Sequence, residues 1–297
     1  MSASKWDYEV AVIGGGSAGF AAARTAAAKG LKTALVEGAE QMGGLCILRG
    51  CMPTKALLYA SEVMHLARHS NTWGIRAEEV SFNFKQVMAR KNAMIQDFAD
   101  YRVKQLHQGK FKLVRARARF TGPHTLALDN GGQLTAAHFV ICTGSTHAPC
   151  PIPQLQELGC MNSDTALELT QLPRSLIVLG GGAVALEFAQ FFARFGVRVT
   201  MIQRSAHVLQ GFDTDAAEVL ETVFRREGIK LYTGTKLTDA RRLGEGKQVT
   251  FEHEGKPVRV HADEVFYALG RLPLIAGLGL EHAGVQVEHS RIVTDQR

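Results

Sequence analysis

Cys46 and Cys51 stand five residues apart in GGLCILRGCMPTK, residues 43 to 55, with glycines before and between them and Lys55 four residues after the second. Two thiols so placed could be a structural staple, part of a metal site, or a reversible redox pair. A bridge needs Cα atoms about 4.4–6.8 Å apart, whereas five residues of regular helix rise about 7.5 Å. The segment must therefore bend, which Gly50 favours. Met52-Pro53-Thr54-Lys55 reads as the first turn of a helix with Cys51 at its N-terminal end, where the helix dipole and the Lys55 ammonium stabilise a thiolate. A structural zinc site wants four ligands, and no second CxxC or paired histidine accompanies the cysteines at suitable spacing. His65 and His69 do stand at i and i+4, on a helix face with Ser61, Glu62 and Arg68 that reads as solvated. Cys142, Cys150 and Cys160 read as small apolar or loop residues.

What precedes the pair narrows its chemistry. Residues 8 to 19, YEVAVIGGGSAG, run from an apolar strand into Gly14, Gly16 and Gly19; an alanine-rich helix follows to Gly30, then a second strand ending at Glu37, 23 residues after Gly14. Each position has a task in dinucleotide binding. Gly14 permits the tight turn, Gly16 lets backbone approach a pyrophosphate, and Gly19 lets the helix pack closely on the strand. The helix N-terminus offers N–H groups to phosphate, and Glu37 can accept hydrogen bonds from a ribose.

The pattern then returns. RSLIVLGGGAVALEFAQFFARFGVRVTMIQR, residues 174 to 204, sets Gly180, Gly182 and Ala185 at the same three places, and Gln203 where the first copy has Glu37, followed by Arg204. Two such units mean two dinucleotides. The first, with its acid, suits the unphosphorylated adenosine ribose of FAD. At the second, the missing carboxylate removes repulsion from a 2′-phosphate and Arg204 could pair with it, so NADPH is favoured over NADH.

Between the copies, 54–69 and about 82–108 carry apolar residues at helical spacing, and from 111 the texture changes to strand-like runs with turns at 121–123 and 129–132. Arg115, Arg117 and Arg119 in VRARARF read as one solvated face of a strand. The proline-containing stretch 148–155 is the most linker-like. The fold class is α/β, two Rossmann-like three-layer nucleotide-binding domains with the second inserted in the first. Residues 1–150 form the first part of the FAD-binding domain, 151–270 the NAD(P)-binding domain, and 271–297 the start of a return to the first.

A chain of 297 residues, 46% hydrophobic and 21% charged, has room for two such domains and is too apolar for disorder. Its net charge of +6 comes from dispersed Lys and Arg, which points to anionic small ligands and not to nucleic acid. With neither a long apolar run nor a secretory leader pattern, the expected setting is the cytoplasm, away from membranes. There five cysteines are too few for a disulfide scaffold.

The order glycine-rich fingerprint, GGxCxxxxCxPxK, Thr143-Gly144, GGGxxxxE and the Ala268-to-Arg271 ALGR turn resembles the flavoprotein disulfide reductases, among them dihydrolipoamide dehydrogenase, glutathione reductase and mercuric reductase. The resemblance covers essentially the whole chain. It implies that Cys46 is the interchange thiol that attacks a disulfide or binds a metal ion, and that Cys51 lies next to the flavin in charge-transfer contact. It places Lys55 by the flavin N5, paired with Glu187. Gly14, Gly16, Gly19, Glu37, Gly44, Lys55, Thr143 and Gly144 would serve FAD; Gly180, Gly182, Ala185, Gln203, Arg204 and Gly270 would serve NADPH or NADH.

By the same resemblance, hydride passes from nicotinamide to flavin and electrons leave through the thiols to a small disulfide, of dihydrolipoamide type, or to a metal ion such as Hg(II). No resident metal is implied. Three departures stand out. Ala183 replaces a common tyrosine lid, as in mercuric reductases. Pro273-Leu274 replaces Pro-Asn, at the expense of one local hydrogen bond. Family members also continue well beyond 297 residues, into a further FAD-binding motif and a dimerisation domain whose partner copy supplies a His–Glu acid–base pair. The resemblance therefore implies a homodimeric longer form, and for this chain alone weak turnover or a dinucleotide-binding module without turnover.

Overall fold

The computed structural model describes residues 5–296. They divide into two compact units. One holds the chain up to Cys51, Ile95–His147 and the chain from Arg271; the other holds Met52–Met94 and Ala148–Gly270.

The first unit opens with β1 (Tyr8–Ile13), α1 (Ser17–Ala28), β2 (Thr33–Glu37) and α2 (Gly44–Leu48), after which α3 (Cys51–Arg68) begins. The C-terminal part of α4 (Phe84–Gln108) leads into β3 (Lys112–Arg115), β4 (Ala118–Gly122), β5 (Thr125–Leu128), β6 (Gln133–Ile141) and β7 (Ser145–His147). The sheet runs β3-β2-β1-β6-β5-β4. Its first four strands are parallel and β5 and β4 extend it antiparallel. Both faces of β1 are covered, as a parallel strand requires: Ala11 and Ile13 join Phe120 and Leu126 on one side, Val12 joins Phe20 and Leu106 on the other. α1 stops where Gly30 takes φ +84° and Leu31 N–H donates back to Ala26 O at 3.2 Å, a left-handed helix end that glycine adopts without strain.

The arginine run does not form one strand. β3 ends at Arg115 and β4 starts at Ala118, because Ala116 N–H bonds Glu37 O at 3.2 Å and Arg117 N–H bonds Asp129 Oδ1 at 3.0 Å. Nor is Arg115 idle surface: its Nη2 donates to Ala39 O at 2.5 Å and ties down the turn after Glu37.

In the second unit, α5 (Pro153–Glu157) and the Asn162-capped α6 (Ser163–Ala166) precede β8 (Ser175–Leu179), α7 (Ala183–Arg194), β9 (Arg198–Ile202), α8 (Thr214–Arg226) and β10 (Lys230–Tyr232). The antiparallel strands β11 (Lys236–Leu243), β12 (Gly246–His253) and β13 (Lys256–Ala262) lead to β14 (Glu264–Tyr267). The parallel sheet β10-β9-β8-β14 repeats the β3-β2-β1-β6 order of the first unit. Phe188, Phe191, Phe192 and Phe266 fill one face of β8, together with Leu57, Met64 and Met88 from the helical stretch 52–94. Val249, Phe251 and Ala262 fill the other face. The chain re-enters the first unit through β15 (Arg271–Pro273), which pairs antiparallel with β7. The architecture is α/β, with two Rossmann-type units and the second inserted in the first.

Tyr267 closes the start of the insertion. Its hydroxyl lies 2.6 Å from Pro149 O and 2.9 Å from Ala148 O, and burial, followed by neighbouring Cys150, pushes its pKa up to about 12. An unfolded tyrosine ionises near pH 10. The folded state therefore holds the proton more tightly, so this residue's contribution is intact below about pH 10 and is lost as pH rises towards about 12. Urea unfolding at about pH 9 and about pH 11 is expected to show a smaller alkaline loss of stability in Tyr267→Phe than in the parent chain.

Candidate functional site

The first glycine turn is built by contacts that exclude side chains. Gly14 takes φ +103° and donates its N–H to Val36 O at 2.8 Å; a Cβ there would lie 2.3 Å from Cys142 O. At Gly19 a Cβ would lie 1.7 Å from Gly14 O. Gly44, at φ +77°, rests on the same turn, where its Cβ would come within 2.4 Å of Gly16 Cα. That contact seats α2, and with it Cys46, directly on the phosphate-type turn. Glu37 is buried, and its two carboxylate oxygens accept from Gly15 N–H and Ala39 N–H, each at 2.7 Å. The acid thus holds the glycine turn itself, and its remaining lone pairs are what a ribose would meet. Thr143 and Gly144 follow β6 at the same carboxyl end of the sheet, where open α/β sheets bind ligands. Gly144 O accepts from Leu274 N–H at 2.9 Å, so a main-chain bond closes this turn without the asparagine common in the resembling proteins.

The second turn reproduces the first. Gly180 takes φ +116°, donates to Ile202 O at 3.0 Å, and would place a Cβ 2.4 Å from Ala268 O. Ala185 is fully buried, so here the helix stands far enough off to admit a methyl group. Gln203 is buried too; its Oε1 accepts from Arg204 N–H at 3.2 Å and its side chain packs over Gly181. A cleft of about 570 Å³ lies over this turn, lined among others by Gly182, Ala183, Arg204, Phe212, Lys236 and Gly270. Among the described residues, α1 and α7 both start at glycine N-caps, Gly16 and Gly182, with no side-chain cap and no acid in the first turn. Their N–H groups and positive dipole ends are left for phosphate. The residues fit dinucleotides at both turns.

Cys46 is half-buried within α2, and Cys51 is exposed as the first residue of α3. The bend between them is tight at Gly50, where a Cβ would sit 3.0 Å from Leu45 O. One turn into α3, Lys55 Nζ donates to Glu187 Oε1 on α7. Burial raises the pKa of Cys142 and pushes that of Cys160 up to about 11, which keeps both as protonated, inert thiols. Among the described residues no group of three or more His, Cys, Asp or Glu is placed to hold a metal ion. The face carrying His65 and His69 is less solvated than its sequence implies: Ser61 is fully buried and Glu62 pairs with Arg194. Lys236 escapes a reading by spacing altogether, since 32 residues separate it from Arg204 and only tertiary hydrogen bonds bring it to the cleft.

The model of one protein family, pyridine nucleotide-disulphide oxidoreductase, matches residues 8–297. The chain belongs to that family. Among curated relatives, the dihydrolipoyl dehydrogenase of Bacillus subtilis (strain 168) is 32% identical over 304 residues, covering 98% of this chain and 64% of the relative. The mercuric reductase of Streptomyces lividans is 38% identical over 296 residues, covering 97% and 62%. A solved structure, the HOCl-induced flavoprotein disulfide reductase RclA from Escherichia coli, superposes with a TM-score of 0.82 at 28% identity over 97% of this chain and 62% of that one. The chain thus spans less than two thirds of the length of these proteins. The family consists of FAD-containing, NAD(P)H-dependent disulfide oxidoreductases, in line with the resemblance read from the doubled fingerprint and the cysteine pair. Among the described residues, no helix is long and apolar enough to cross a membrane.

Proposed function

We propose that this chain takes reducing equivalents from NAD(P)H and delivers them through Cys51 and Cys46 to a small disulfide substrate. The observation that supports the reading is the close approach of Gly44 to Gly16, which seats the start of α2, two residues before Cys46, on the turn that suits FAD. Bound FAD would supply the two-electron relay between nicotinamide and the cysteine pair. Gly14, Gly16, Gly19, Glu37, Gly44, Thr143 and Gly144 would hold it. Gly180, Gly182, Ala185, Gln203, Arg204 and Gly270 would hold the nicotinamide dinucleotide.

Two electrons open the Cys46–Cys51 disulfide to a dithiol. The Cys46 thiolate then attacks one sulfur of the substrate disulfide, forming a mixed disulfide and releasing one substrate thiol. The Cys51 thiolate attacks Cys46 Sγ, re-forms the Cys46–Cys51 bond and releases the second thiol. Overall, NAD(P)H, a proton and one disulfide become NAD(P)+ and two thiols. Lys55, at the first turn of α3 and held by Glu187, would place its ammonium by the flavin. A dihydrolipoamide-type disulfide is the substrate class we favour, and the working form we envisage is a cytoplasmic homodimer. A second reading, reduction of a metal ion such as Hg(II) at the same thiols, is favoured by the 38% identity to a mercuric reductase and by Ala183 at the mouth of the cleft.

Anaerobic alkylation tests the proposal. NADPH or NADH, added to FAD-loaded chain, is expected to make Cys46 and Cys51 newly alkylated in peptide mass spectra, together with loss of visible flavin absorbance. Labelling of the two cysteines that is unchanged by either donor refutes it. In the same assay Lys55→Met is expected to slow thiol appearance about ten-fold, the worth of one charge-assisted contact. Glu187→Gln, which keeps the ammonium, is expected to have a smaller effect.

A further inference from the structure

The cleft over the second glycine turn carries two cations, and only one of them lies on the strand end that a dinucleotide fingerprint draws attention to. Arg204 directly follows Gln203 at the end of β9, and Lys236 directly follows Thr235 at the start of β11. Three hydrogen bonds lock those two segments together. Thr235 N–H and Oγ1 both donate to Gln203 O, at 3.1 and 3.0 Å, and Gly234 N–H donates to Ser205 O at 2.8 Å. Thr235 is buried in that lock, and the next residue along, Lys236, lines the same cleft as Arg204.

No opposing charge meets the two cations. Among the described residues that line the cleft none is acidic, and neither Arg204 nor Lys236 is bonded to a carboxylate. The acid Glu221 on α8 is buried outside the cleft lining, accepting from Val208 N–H at 3.0 Å and pairing with Arg225 at 3.3 Å. The contrast with the first turn is direct. There Glu37 puts a carboxylate at the strand end, bonded to Gly15. Here neutral Gln203 occupies that place, its oxygen taken by Arg204 N–H and its side chain folded over Gly181. A fixed negative charge is replaced by an uncharged group in a cleft that two cations line, an environment that attracts a phosphate dianion.

We infer that Lys236, together with Arg204, clasps a phosphate on the ribose 2′ oxygen, so that this cleft selects the 2′-phosphorylated dinucleotide, NADPH. The inference rests on reading the second glycine turn as the nicotinamide-dinucleotide site, and its test separates the two ideas. Adenosine 2′,5′-bisphosphate and adenosine 5′-monophosphate differ only in the 2′-phosphate, and binding of either, followed calorimetrically on the 297-residue chain, needs neither flavin nor turnover. The bisphosphate is expected to bind at least about ten-fold more tightly. Lys236→Met is expected to remove about ten-fold of that preference and leave the monophosphate unchanged, with Lys236→Arg restoring it. Arg204→Met is expected to weaken the bisphosphate at least as much, and added salt to narrow the gap.

Equal affinity for the two probes in the parent chain overturns the phosphate clasp while leaving the nucleotide site standing. A strong preference that survives Lys236→Met removes Lys236 from it. Failure of both probes to bind sinks the nucleotide-site reading, and the clasp with it.

Discussion

A single methyl group at Gly19 is expected to leave the protein without flavin and destabilised by about 3 kcal/mol. The Cβ of Gly19→Ala would fall 1.7 Å from Gly14 O, well inside any tolerable contact, and Gly14 is itself fixed by its bond to Val36 O and by Cys142 O behind it. Relief can come only if α1 lifts from the sheet. That movement separates the N-terminus of α1 from the glycine turn and pulls Gly16 away from Gly44, the contact on which α2 sits. One added carbon therefore reaches both the phosphate site and the cysteine segment.

The second unit supplies the control. Ala185 holds the corresponding position with its methyl group already buried, so Ala185→Gly is expected to cost only about 1 kcal/mol, the usual glycine penalty inside a helix. The flavin-to-protein absorbance ratio and the urea midpoint check both variants. Full flavin content and a parental midpoint in Gly19→Ala would mean that α1 has more freedom on β1 than its contacts allow.

This difference between two copies of one motif shows what kind of information a sequence holds. The fingerprints are legible because Gly14, Gly19 and Gly180 answer local steric demands, and such demands recur at fixed spacing wherever a strand, a turn and a helix meet. Cys51 at the head of α3 is legible for the same reason: Pro53 and the spacing of apolar residues mark the helix start. What depends on distant partners is not legible. VRARARF alternates like a strand, yet it is cut between Arg115 and Ala118 by bonds to Glu37 and Asp129, neither of which is signalled nearby. Ser61 and Glu62 look solvated on a helical wheel, but Ser61 is buried and Glu62 pairs with Arg194, more than a hundred residues along the chain. Lys236 belongs with these cases. Its place on the cleft that Arg204 also lines is set by Thr235 reaching Gln203 O, a bond that no periodicity encodes. Glu37 lies between the two kinds. Its place at the end of β2 is legible, whereas its bond to Gly15 N–H, which steadies the turn from within, emerges only from the folded chain.

Cys46→Ser is expected to lower disulfide reduction by at least about 10³-fold while reduction of bound flavin by NADPH persists. The hydroxyl is a weak nucleophile at neutral pH and cannot form the Cys46–Cys51 bond, so electrons that arrive have no dithiol to leave through. The change itself is small: Cys46 is half-buried on a short helix whose buried anchor is Ile47, so loss of fold does not account for loss of turnover. Cys51→Ser separates the roles of the two thiols. A Cys46 thiolate can still attack the substrate disulfide, but the mixed disulfide then lacks the neighbour that resolves it. Intact mass spectrometry of chemically reduced Cys51→Ser mixed with a small disulfide is expected to show one substrate half attached, and peptide mapping to place it on Cys46; Cys46→Ser treated alike should carry none at residue 51. An adduct on Cys51 in the Cys46→Ser protein, with none on Cys46 in its counterpart, would reverse the assignment. The exposure of the two residues makes that reversal a real alternative, since Cys51 is the more exposed of the pair in this chain. Position favours Cys46 as the attacking thiol nonetheless. Cys51 opens α3, and Lys55 follows one turn on, held by Glu187. A thiol so placed is suited to receive electrons and to resolve the mixed disulfide, and that leaves the first attack on substrate to Cys46.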